Sequence, residues 1–492
     1  MNPNGAGALR AAPAGPEQYP LEYVESHGVL LLEERDDQAT VGACDDVAAE
    51  TLAELKRFHR KPVIVQPIDR RDLTAYLERR LSGQQESPAG LTDTVAHQGD
   101  SRIEEVAHDA PAVNLVNSLL IEAIRRDASD IHIESYDDRA VIRFRVDGLL
   151  SSGGAITADQ FPAVASRIKV MANLNIMERR LPQDGRISVS LNGTRFDLRV
   201  SVVPVVHGES IVLRLFQRTG SLICLDELGL DSPQVARIRR FIAAPHGLFL
   251  ATGPTGSGKT TTLTAIIAEL RTELRKIITI EDPVEYLLDG VNQIATNDQI
   301  GLSFDTLLRR VLRQDPDIIM VGEIRDSATA ELAVRAALTG HLVLSTLHTS
   351  DALSAVLRLA DMGIERYLLA GTLRSVMAQR LVRRVCGACS RPHRPDATHR
   401  KLLSRWRISC NMAREPIGCP LCGGSGYSGR IAIAELVPID SELAEAVARG
   451  DPVSRMTTMV RGHGVRPLAE DGYRKVAAGL TTFSEVDSAT EG

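Results

Sequence analysis

The chain has 492 residues, an apolar fraction of 43% and a formal net charge of −6. Its length and apolar content predict roughly three or four domains with buried cores, and the excess of acid argues against a nucleic-acid-binding protein. The sequence contains neither a basic and apolar leader nor an apolar run of the roughly 18 residues that cross a bilayer. We therefore expect a cytoplasmic protein.

The amino-terminal part of the chain predicts a small domain followed by a linker. Residues 1–18 are rich in Ala, Gly and Pro, which is typical of a disordered segment. Residues 19–81 show the apolar patterns of a small mixed domain. Its predicted elements are strands at 28–32 and 62–67 and helices at 46–58 and 70–81. Residues 82–100 are polar and rich in turn-forming residues, so we expect a flexible linker.

Residues 101–217 predict an α+β domain. Its predicted elements are helices at 103–127 and 161–173 and strands at 128–134, 140–146, 185–191, 195–203 and 210–215. Asp130, His132 and Glu134 share one face of the first of these strands. A single His between two carboxylates lacks the second nitrogen ligand of a typical metal site, so we interpret this face as the polar side of a strand or a domain interface.

Two arginines of this domain, Arg199 and Arg214, are candidates for contact with a nucleotide. A nucleotide held at a subunit interface often receives a cation from another element, which neutralises charge on the γ-phosphate. Ordinary surface pairing with a carboxylate is the alternative, and residue spacing alone favours it for any single arginine.

The segment 247–270 predicts a phosphate-binding loop between a buried strand and a helix. Its glycines allow successive N–H groups to turn inward around a phosphate, and the helix adds its positive end. Lys259 can reach the β and γ oxygens, and the Thr260 hydroxyl can bind the Mg²⁺ that accompanies the nucleotide. The flanking strand and helix disfavour a Gly-rich turn without a ligand. This Walker A loop predicts nucleotide contacts from Gly253, Pro254, Thr255, Gly256, Ser257, Gly258, Lys259, Thr260 and Thr261.

Two further apolar strands end in acidic residues. The strand at 276–281 ends at Glu281, and the strand at 317–323 ends at Glu323, which gives a Walker B pattern. Ligands bind at the carboxyl ends of strands in open α/β sheets, so both carboxylates are expected beside the phosphates. Glu323 is predicted to hold Mg²⁺ or to orient the attacking water, with Glu281 as the alternative base.

A third strand, at 342–346, lies between His341 and His348. A histidine at the carboxyl edge of the sheet could sense the γ-phosphate or pass that information to a neighbouring subunit. A structural role is the alternative for either histidine taken alone.

The cysteines predict a metal site. Paired C-x2-C units in a cytoplasmic protein favour structural Zn²⁺ over a redox dithiol or free thiols, because thiolates stay reduced there and the metal stabilises a segment too small for its own core. The segment between the pairs is long enough for a short helix, and Cys410 is predicted to be outside the site. The predicted zinc ligands are Cys386, Cys389, Cys419 and Cys422.

The stretch 374–407 holds ten Lys or Arg residues and one acid, Asp396. A solvated surface is one interpretation of this stretch. Contact with an anionic lipid or a protein partner is the second, and contact with nucleic acid is the third and least favoured.

Several strings together resemble the type II secretion ATPase family, the general secretion pathway E proteins. They are GPTGSGKTTT, TIEDPVEY, LRQDPDIIMVGEIRD, TGHLVLSTLHTSDA, the paired C-x2-C units and GYSGRIAIAEL. The resemblance covers about three quarters of the chain, from RDASDIHIE to LAEDGYRKVAAGLTTFSEV. It places the family's four boxes at 253–260, 279–286, 317–326 and 339–349. Its phosphate-sensing arginines correspond to Arg199, Arg214, Arg309, Arg313 and Arg325.

The resemblance implies an α/β fold with a RecA-like P-loop core, a preceding α+β (PAS-like) domain, a small zinc-bound segment and a small amino-terminal domain. The implied divisions are 1–81, 82–100, 101–217, 218–385, 386–425 and a carboxy-terminal helical part at 426–492. It further implies a homohexamer that hydrolyses ATP with Mg²⁺ and drives a pilus-like fibre at the inner membrane. The implied partners are the cytoplasmic domain of the L-type protein and the F-type platform protein.

Two other functions stay open at this stage. Type IV pilus assembly ATPases share the four boxes and the cysteines, so they are the first alternative. A nucleic-acid uptake motor is the second, and the overall acidity of the chain argues against it. Pilus retraction ATPases are disfavoured because they resemble the core without the zinc segment.

Overall fold

The computed structural model describes most of the chain, and the predicted disordered start, the predicted linker and most of the predicted helix at 70–81 lie outside the described residues. The description covers 19–73 apart from 20–22, 25–26, 36, 46, 60 and 71–72, then 110–217 apart from 192–193, and 224–490. Two compact units are present. Of the described residues, the first contains those up to 217 together with 386–391 and 416–428, and the second contains 224–385, 392–415 and 429–490.

The amino-terminal domain is a three-stranded sheet covered by a helix. Its elements are β1 (Val29–Glu34), β2 (Ala39–Ala43), α1 (Ala49–His59) and β3 (Val63–Pro67). Strand β2 is central, antiparallel to β1 and parallel to β3. Strands β1 and β3 and helix α1 confirm the strands predicted at 28–32 and 62–67 and the helix predicted at 46–58, whereas β2 was not predicted. Leu31, Val41 and Leu55 are buried in the core of this domain.

The predicted α+β domain is a six-stranded antiparallel sheet with two helices. Its elements are α2 (Ala110–Arg125), β4 (Asp130–Ser135), β5 (Arg139–Val146), β6 (Leu149–Thr157), α3 (Phe161–Met171), β7 (Gln183–Leu191), β8 (Thr194–Val205) and β9 (Gly208–Gln217). The strand order is β6-β5-β4-β9-β8-β7. One face of the sheet is apolar and packs in a single core with α2 and α3. Strand β6 was not predicted, because it is a mostly exposed edge strand without apolar alternation.

The second unit is built on a seven-stranded sheet with helices on both faces. Its first elements are α4 (Ser232–Ile242), β10 (Gly247–Thr252), α5 (Lys259–Leu270), β11 (Ile277–Glu281), β12 (Asn292–Ala295), α6 (Phe304–Val311), β13 (Ile318–Val321), α7 (Ser327–Leu338), β14 (Leu342–Leu347), α8 (Ala352–Asp361), α9 (Arg366–Thr372) and β15 (Leu373–Val385). The strands around β10 are almost fully buried, as their continuous apolar runs predict.

The remaining elements follow Cys386 and Cys389, the first cysteine pair of the predicted zinc segment. They are β16 (Arg391–His393), α10 (Ala397–Arg405), β17 (Ala413–Glu415), β18 (Tyr427–Pro438), α11 (Ser441–Arg449), α12 (Val453–Gly462), α13 (Leu468–Ala477) and α14 (Phe483–Thr490). Helix α10 confirms the short helix expected between the cysteine pairs. None of the helices in the described part of the chain combines the length and the apolar content that crossing a membrane requires.

The order of the large sheet is β12-β11-β13-β14-β10-β15-β18, and its first six strands run parallel. The segment 426–492, predicted to be helical, carries α11 to α14 but opens with β18, which completes the sheet. The parallel arrangement brings the ends of β10, β11, β13 and β14 to one edge, where ligands bind in folds of this kind.

Candidate active site

The predicted Walker loop joins β10 to α5, and two of its glycines are required by close contacts. Gly253 has φ 152°, and a Cβ there would lie 2.5 Å from the Gln379 carbonyl oxygen. Gly258 has φ 84° at the start of α5, and a Cβ there would lie 2.8 Å from Gln379 Nε2. Both positions therefore exclude any side chain while the loop stays packed against β15.

Gln379 on β15 holds this loop in place, and the sequence analysis did not predict it. The side chain is buried, with 1% exposure of the residue. Its Nε2 donates to the Ser257 carbonyl oxygen at 2.8 Å, and its Oε1 accepts from Thr262 Oγ1 at 2.7 Å. One amide thus fixes both the loop and the first turn of α5. A glutamine directly after the short apolar stretch 376–378 was the available signal.

Lys259 points back into the loop. Its Nζ donates to the carbonyl oxygens of Gly253 at 2.7 Å and Pro254 at 3.0 Å. Burial lowers the pKa of Lys259 to about 8, Glu323 opposes that shift, and the positive charge of Arg380 adds to it. The Ser257 hydroxyl is buried here without a hydrogen-bond partner. A lysine beside an unsatisfied hydroxyl is the pattern of a site that takes an anionic oxygen ligand.

A cavity of about 530 Å³ opens beside the loop. Arg380 is the cation in its wall, and its guanidinium donates to the carbonyl oxygens of Ser350 at 2.9 Å and Gln379 at 3.0 Å. The sequence analysis counted Arg380 only as part of the basic stretch 374–407. The lining residues are Pro254, Thr255, Gly256, Ser257, His348, Thr349, Ser350, Arg380, Leu381, Ser488 and Ala489.

Glu323 follows β13 and lies among cations, with 17% exposure of its side chain. It accepts from Arg325, and its Oε2 lies 3.4 Å from His348 Nε2. Arg325 also lies 3.6 Å from Asp282, the residue after β11. The structure thus brings together three predicted site residues, Glu323, Arg325 and His348, at the edge of the sheet that carries the Walker loop. A carboxylate in this position can help to hold a metal ion or orient a water.

Glu281, the alternative base, is in a different environment. It is buried at the end of β11, and its Oε1 accepts from Thr279 Oγ1 at 2.6 Å and from Gln293 Nε2 at 3.0 Å. The first contact lies within β11, and the second joins β11 to the neighbouring strand β12. Glu281 therefore has a structural set of partners, whereas the partners of Glu323 are Arg325 and His348, from the loops at the open edge.

His341 is not part of this site, which corrects the prediction that includes it. It precedes β14, and its Nδ1 lies 2.9 Å from the Ala336 carbonyl oxygen and 3.2 Å from Thr339 Oγ1. The six residues of β14 separate it from His348. At about 3.3 Å per residue, that places His341 roughly 20 Å away, on the opposite edge of the sheet.

Arg309 and Arg313 also lie outside the cavity of their own chain. Arg309 is exposed on α6, with its Nε 3.9 Å from Asp305, and Arg313 is exposed just after that helix. Their predicted contact with phosphate therefore requires a nucleotide other than the one on their own Walker loop, and it stays a prediction.

Arg199 and Arg214 belong to the first unit and lie on the face of the six-stranded sheet opposite its core. They are directly opposite each other on β8 and β9. Arg186 on β7 is opposite Arg199, and Asp130 on β4 is opposite Arg214. Arg145 on β5 completes a row across five strands. The row is strongly basic, and like charges placed opposite each other across strands are destabilising without a compensating anion.

The four predicted zinc ligands form one cluster. Their sulfurs all lie within 4.8 Å of one another, and pairs of them are 3.7 and 3.9 Å apart. Thiolates bound to zinc at about 2.3 Å in a tetrahedron would be roughly 3.8 Å apart, so the donor set fits the metal. Burial raises the pKa of Cys389 to about 11, so a bound cation would be needed to stabilise its thiolate at neutral pH. The members are Cys386, Cys389, Cys419 and Cys422.

A Walker loop on a parallel sheet, with a lysine, a cationic cavity and a carboxylate at the same edge, defines a P-loop nucleotide hydrolase. Comparisons with known proteins identify the family of this hydrolase. The family model described as "Type II/IV secretion system protein" matches residues 105–488, and a second model, for an amino-terminal domain of "GSPII protein E", matches residues 18–80. The chain belongs to the type II/IV secretion system protein family, and it is an ATP-hydrolysing secretion ATPase.

Relatives extend this match over almost the whole chain. It is 41% identical to the type II secretion system protein E of Pseudomonas aeruginosa over 97% of each chain, and 40% identical to the type II secretion system ATPase E of Vibrio cholerae over 94% of each. It is 47% identical to the type II secretion system protein HxcR of Pseudomonas aeruginosa over 77% of each.

Solved structures agree with the fold. The ATPase DotB of Legionella pneumophila is 24% identical with a TM-score of 0.58, over 76% of this chain and 95% of its own. The pilus retraction motor PilT with bound ADP is 26% identical with a TM-score of 0.53, over 76% of this chain and 96% of its own.

Proposed function

We propose that the chain works as a ring of six subunits that hydrolyse ATP to power pseudopilus assembly and protein export by a type II secretion system. The observation that supports this proposal most strongly is the near-full-length similarity to type II secretion system proteins E, which includes the amino-terminal domain. The cavity beside the Walker loop supports ATP hydrolysis as the reaction.

In the proposed mechanism, the triphosphate of ATP enters the cavity beside the loop. Its oxygens accept hydrogen bonds from the loop N–H groups and from the buried Ser257 hydroxyl. Lys259 turns from the carbonyl oxygens of Gly253 and Pro254 to the β and γ oxygens of the nucleotide. Arg380 supplies a second cation from the same chain. These contacts place the γ-phosphate at the edge of the sheet that carries Glu323.

Glu323 orients the attacking water, and its carboxylate is fixed by Arg325 and His348. The residues that would hold Mg²⁺ are Thr260 and Glu323, and the ion would neutralise charge on the β and γ oxygens. His348 would register the presence of the γ-phosphate through Glu323.

Cations from elsewhere in the ring complete the site in this proposal. Arg199 and Arg214 contact the phosphates of the bound nucleotide, so that closing of their domain precedes hydrolysis and opening releases product. Arg309 and Arg313, which lie outside the cavity of their own chain, act on the nucleotide of a neighbouring subunit. Hydrolysis then moves one domain against another.

The other parts of the chain connect this cycle to the membrane. The cysteine cluster holds structural zinc and stiffens the segment that follows β15. The amino-terminal domain binds the cytoplasmic domain of the L-type protein, and the ring acts on the F-type platform protein at the inner membrane. The part of the basic stretch 374–407 that follows β15, residues 386–407, is a candidate contact for anionic lipid.

Deletion of the gene in the native organism tests this function. We expect its loss to remove exoproteins from the culture medium, and the wild-type gene but not one encoding Lys259→Ala to restore them. Unchanged secretion together with loss of surface pili would assign the chain to type IV pilus assembly. Unchanged secretion and pili with loss of DNA uptake would favour a nucleic-acid motor.

A further inference from the structure

Asp130 is the acidic member of the basic row on the six-stranded sheet. It is directly opposite Arg214 on one neighbouring strand and Arg145 on the other. Beyond Arg214 the row continues with two more arginines, Arg199 and Arg186, and no acid. The single carboxylate in this row is therefore placed between Arg214 and Arg145.

The contacts of Asp130 are specific. Its side chain is only 5% exposed, and its Oδ1 accepts from Arg214 Nε at 2.8 Å. Its Oδ2 accepts from Ser129 Oγ at 2.8 Å and lies 3.7 Å from Arg145 Nε. The carboxylate is thus oriented from both sides, and Arg145 keeps its charge paired whatever Arg214 does.

The contact with Arg214 uses only the inner nitrogen of the guanidinium. The side chain of Arg214 is 57% exposed, so the guanidinium stays accessible to a ligand while Nε is anchored. Two parallel N–H groups are the arrangement that binds two oxygens of a phosphate. An arginine that is already held in this orientation loses less conformational entropy on binding than a free one.

We propose that Asp130 is a positioning residue for ATP hydrolysis, which anchors Arg214 by Nε and presents its terminal nitrogens to the triphosphate. This inference rests on the proposed function, in which Arg214 contacts the nucleotide. The orientation matters most where charge develops on the transferring phosphoryl group, so Asp130 affects turnover more than nucleotide affinity.

The experiment measures kcat and KM for ATP in assembled rings of the full chain, with Asp130→Asn, Arg214→Ala and both together. We expect Asp130→Asn to lower kcat about tenfold and to leave KM within about twofold, because an oriented cation acts on the transition state. Combined with Arg214→Ala, it should cause no further loss, since its target is gone. Glu134→Gln is the matched control, because Glu134 lies on the same face of β4 and pairs with Arg143.

The outcomes separate the inference from the proposed function. If Arg214→Ala lowers turnover and Asp130→Asn does not, or if the two losses multiply in the double variant, Asp130 has no positioning role. If Arg214→Ala itself hydrolyses ATP at the wild-type rate, both the proposed role of Arg214 and this inference are wrong.

A second variant covers the case in which Asp130→Asn fails to fold. Arg214→Lys keeps the charge but has no inner nitrogen for Asp130 to hold and no paired terminal nitrogens. We expect it to lose about tenfold in kcat, as Arg214→Ala does. Wild-type turnover in Arg214→Lys would show that an anchored, oriented guanidinium is not needed.

Discussion

The clearest chemical prediction concerns Glu323→Gln. Glutamine keeps the volume of the side chain but removes the negative charge that now pairs with Arg325 and His348. Its amide oxygen can still accept a hydrogen bond from Arg325, but it carries no charge to pair with the guanidinium. A positioned base typically contributes about 10²–10⁴-fold to the rate, or roughly 3–5 kcal/mol in activation free energy.

We therefore expect Glu323→Gln to lower kcat at least about a hundredfold. Nucleotide affinity should stay the same or improve, because a negative charge beside the phosphates is removed. Single-turnover hydrolysis measures the first quantity, and equilibrium binding of a fluorescent ATP analogue measures the second.

Glu281→Gln is the matched comparison, because it makes the same substitution at the other acidic strand end. Glu281 accepts from Thr279 and Gln293 within the sheet, so its loss should lower stability more than the chemical step. If Glu281→Gln lost a hundredfold or more in single-turnover rate while Glu323→Gln kept wild-type turnover, the assignment of the base would be reversed.

Three further predictions follow from the site. Nucleotide affinity should fall above about pH 8, because the Lys259 pKa is lowered to about 8 in the free protein and phosphate binding needs the protonated amine. Calorimetry in two buffers should show that binding takes up protons near this pH. An affinity that does not change across this pH would contradict the prediction. Arg380→Ala should weaken ATP binding roughly 10- to 100-fold through the loss of a charge-assisted contact of about 1.5–3 kcal/mol. Arg384→Ala, which changes an exposed residue of the same strand, should leave ATP binding unchanged. Equal affinities for both variants would remove Arg380 from the site. Elemental analysis should find about one zinc per chain. The Cys389→Ser variant should lose this zinc and have a lower Tm. If metal-free protein kept the wild-type Tm, the cluster would not be a structural zinc site.

The sequence predicted the Walker strand and loop well because both depend on local properties. Gly247–Thr252 is a buried apolar run, and the glycines that follow are needed for backbone angles that other residues avoid. The contacts of Gln379 and Arg380 could not be predicted in this way. These two residues lie more than a hundred positions after the loop in sequence, and only the pairing of β10 with β15 places them beside the loop.

The errors have equally physical causes. His341 and His348 are close to the same strand in sequence, but the two ends of a strand lie on opposite edges of a sheet, so only His348 reaches the cavity. The strand β15 was obscured by its arginines, which made it resemble a charged surface segment. The row around Asp130 needed the register of five strands, which apolar periodicity does not determine.

The most direct test of the central claim is phosphate release from ATP by the purified full chain, compared with Lys259→Ala at matched folding and assembly. The account predicts hydrolysis that requires Mg²⁺ in the wild-type protein and none above background in the variant, because the lysine contacts the β and γ oxygens during transfer. Equal turnover in the two proteins would contradict it, since the Walker loop would then have no part in the reaction.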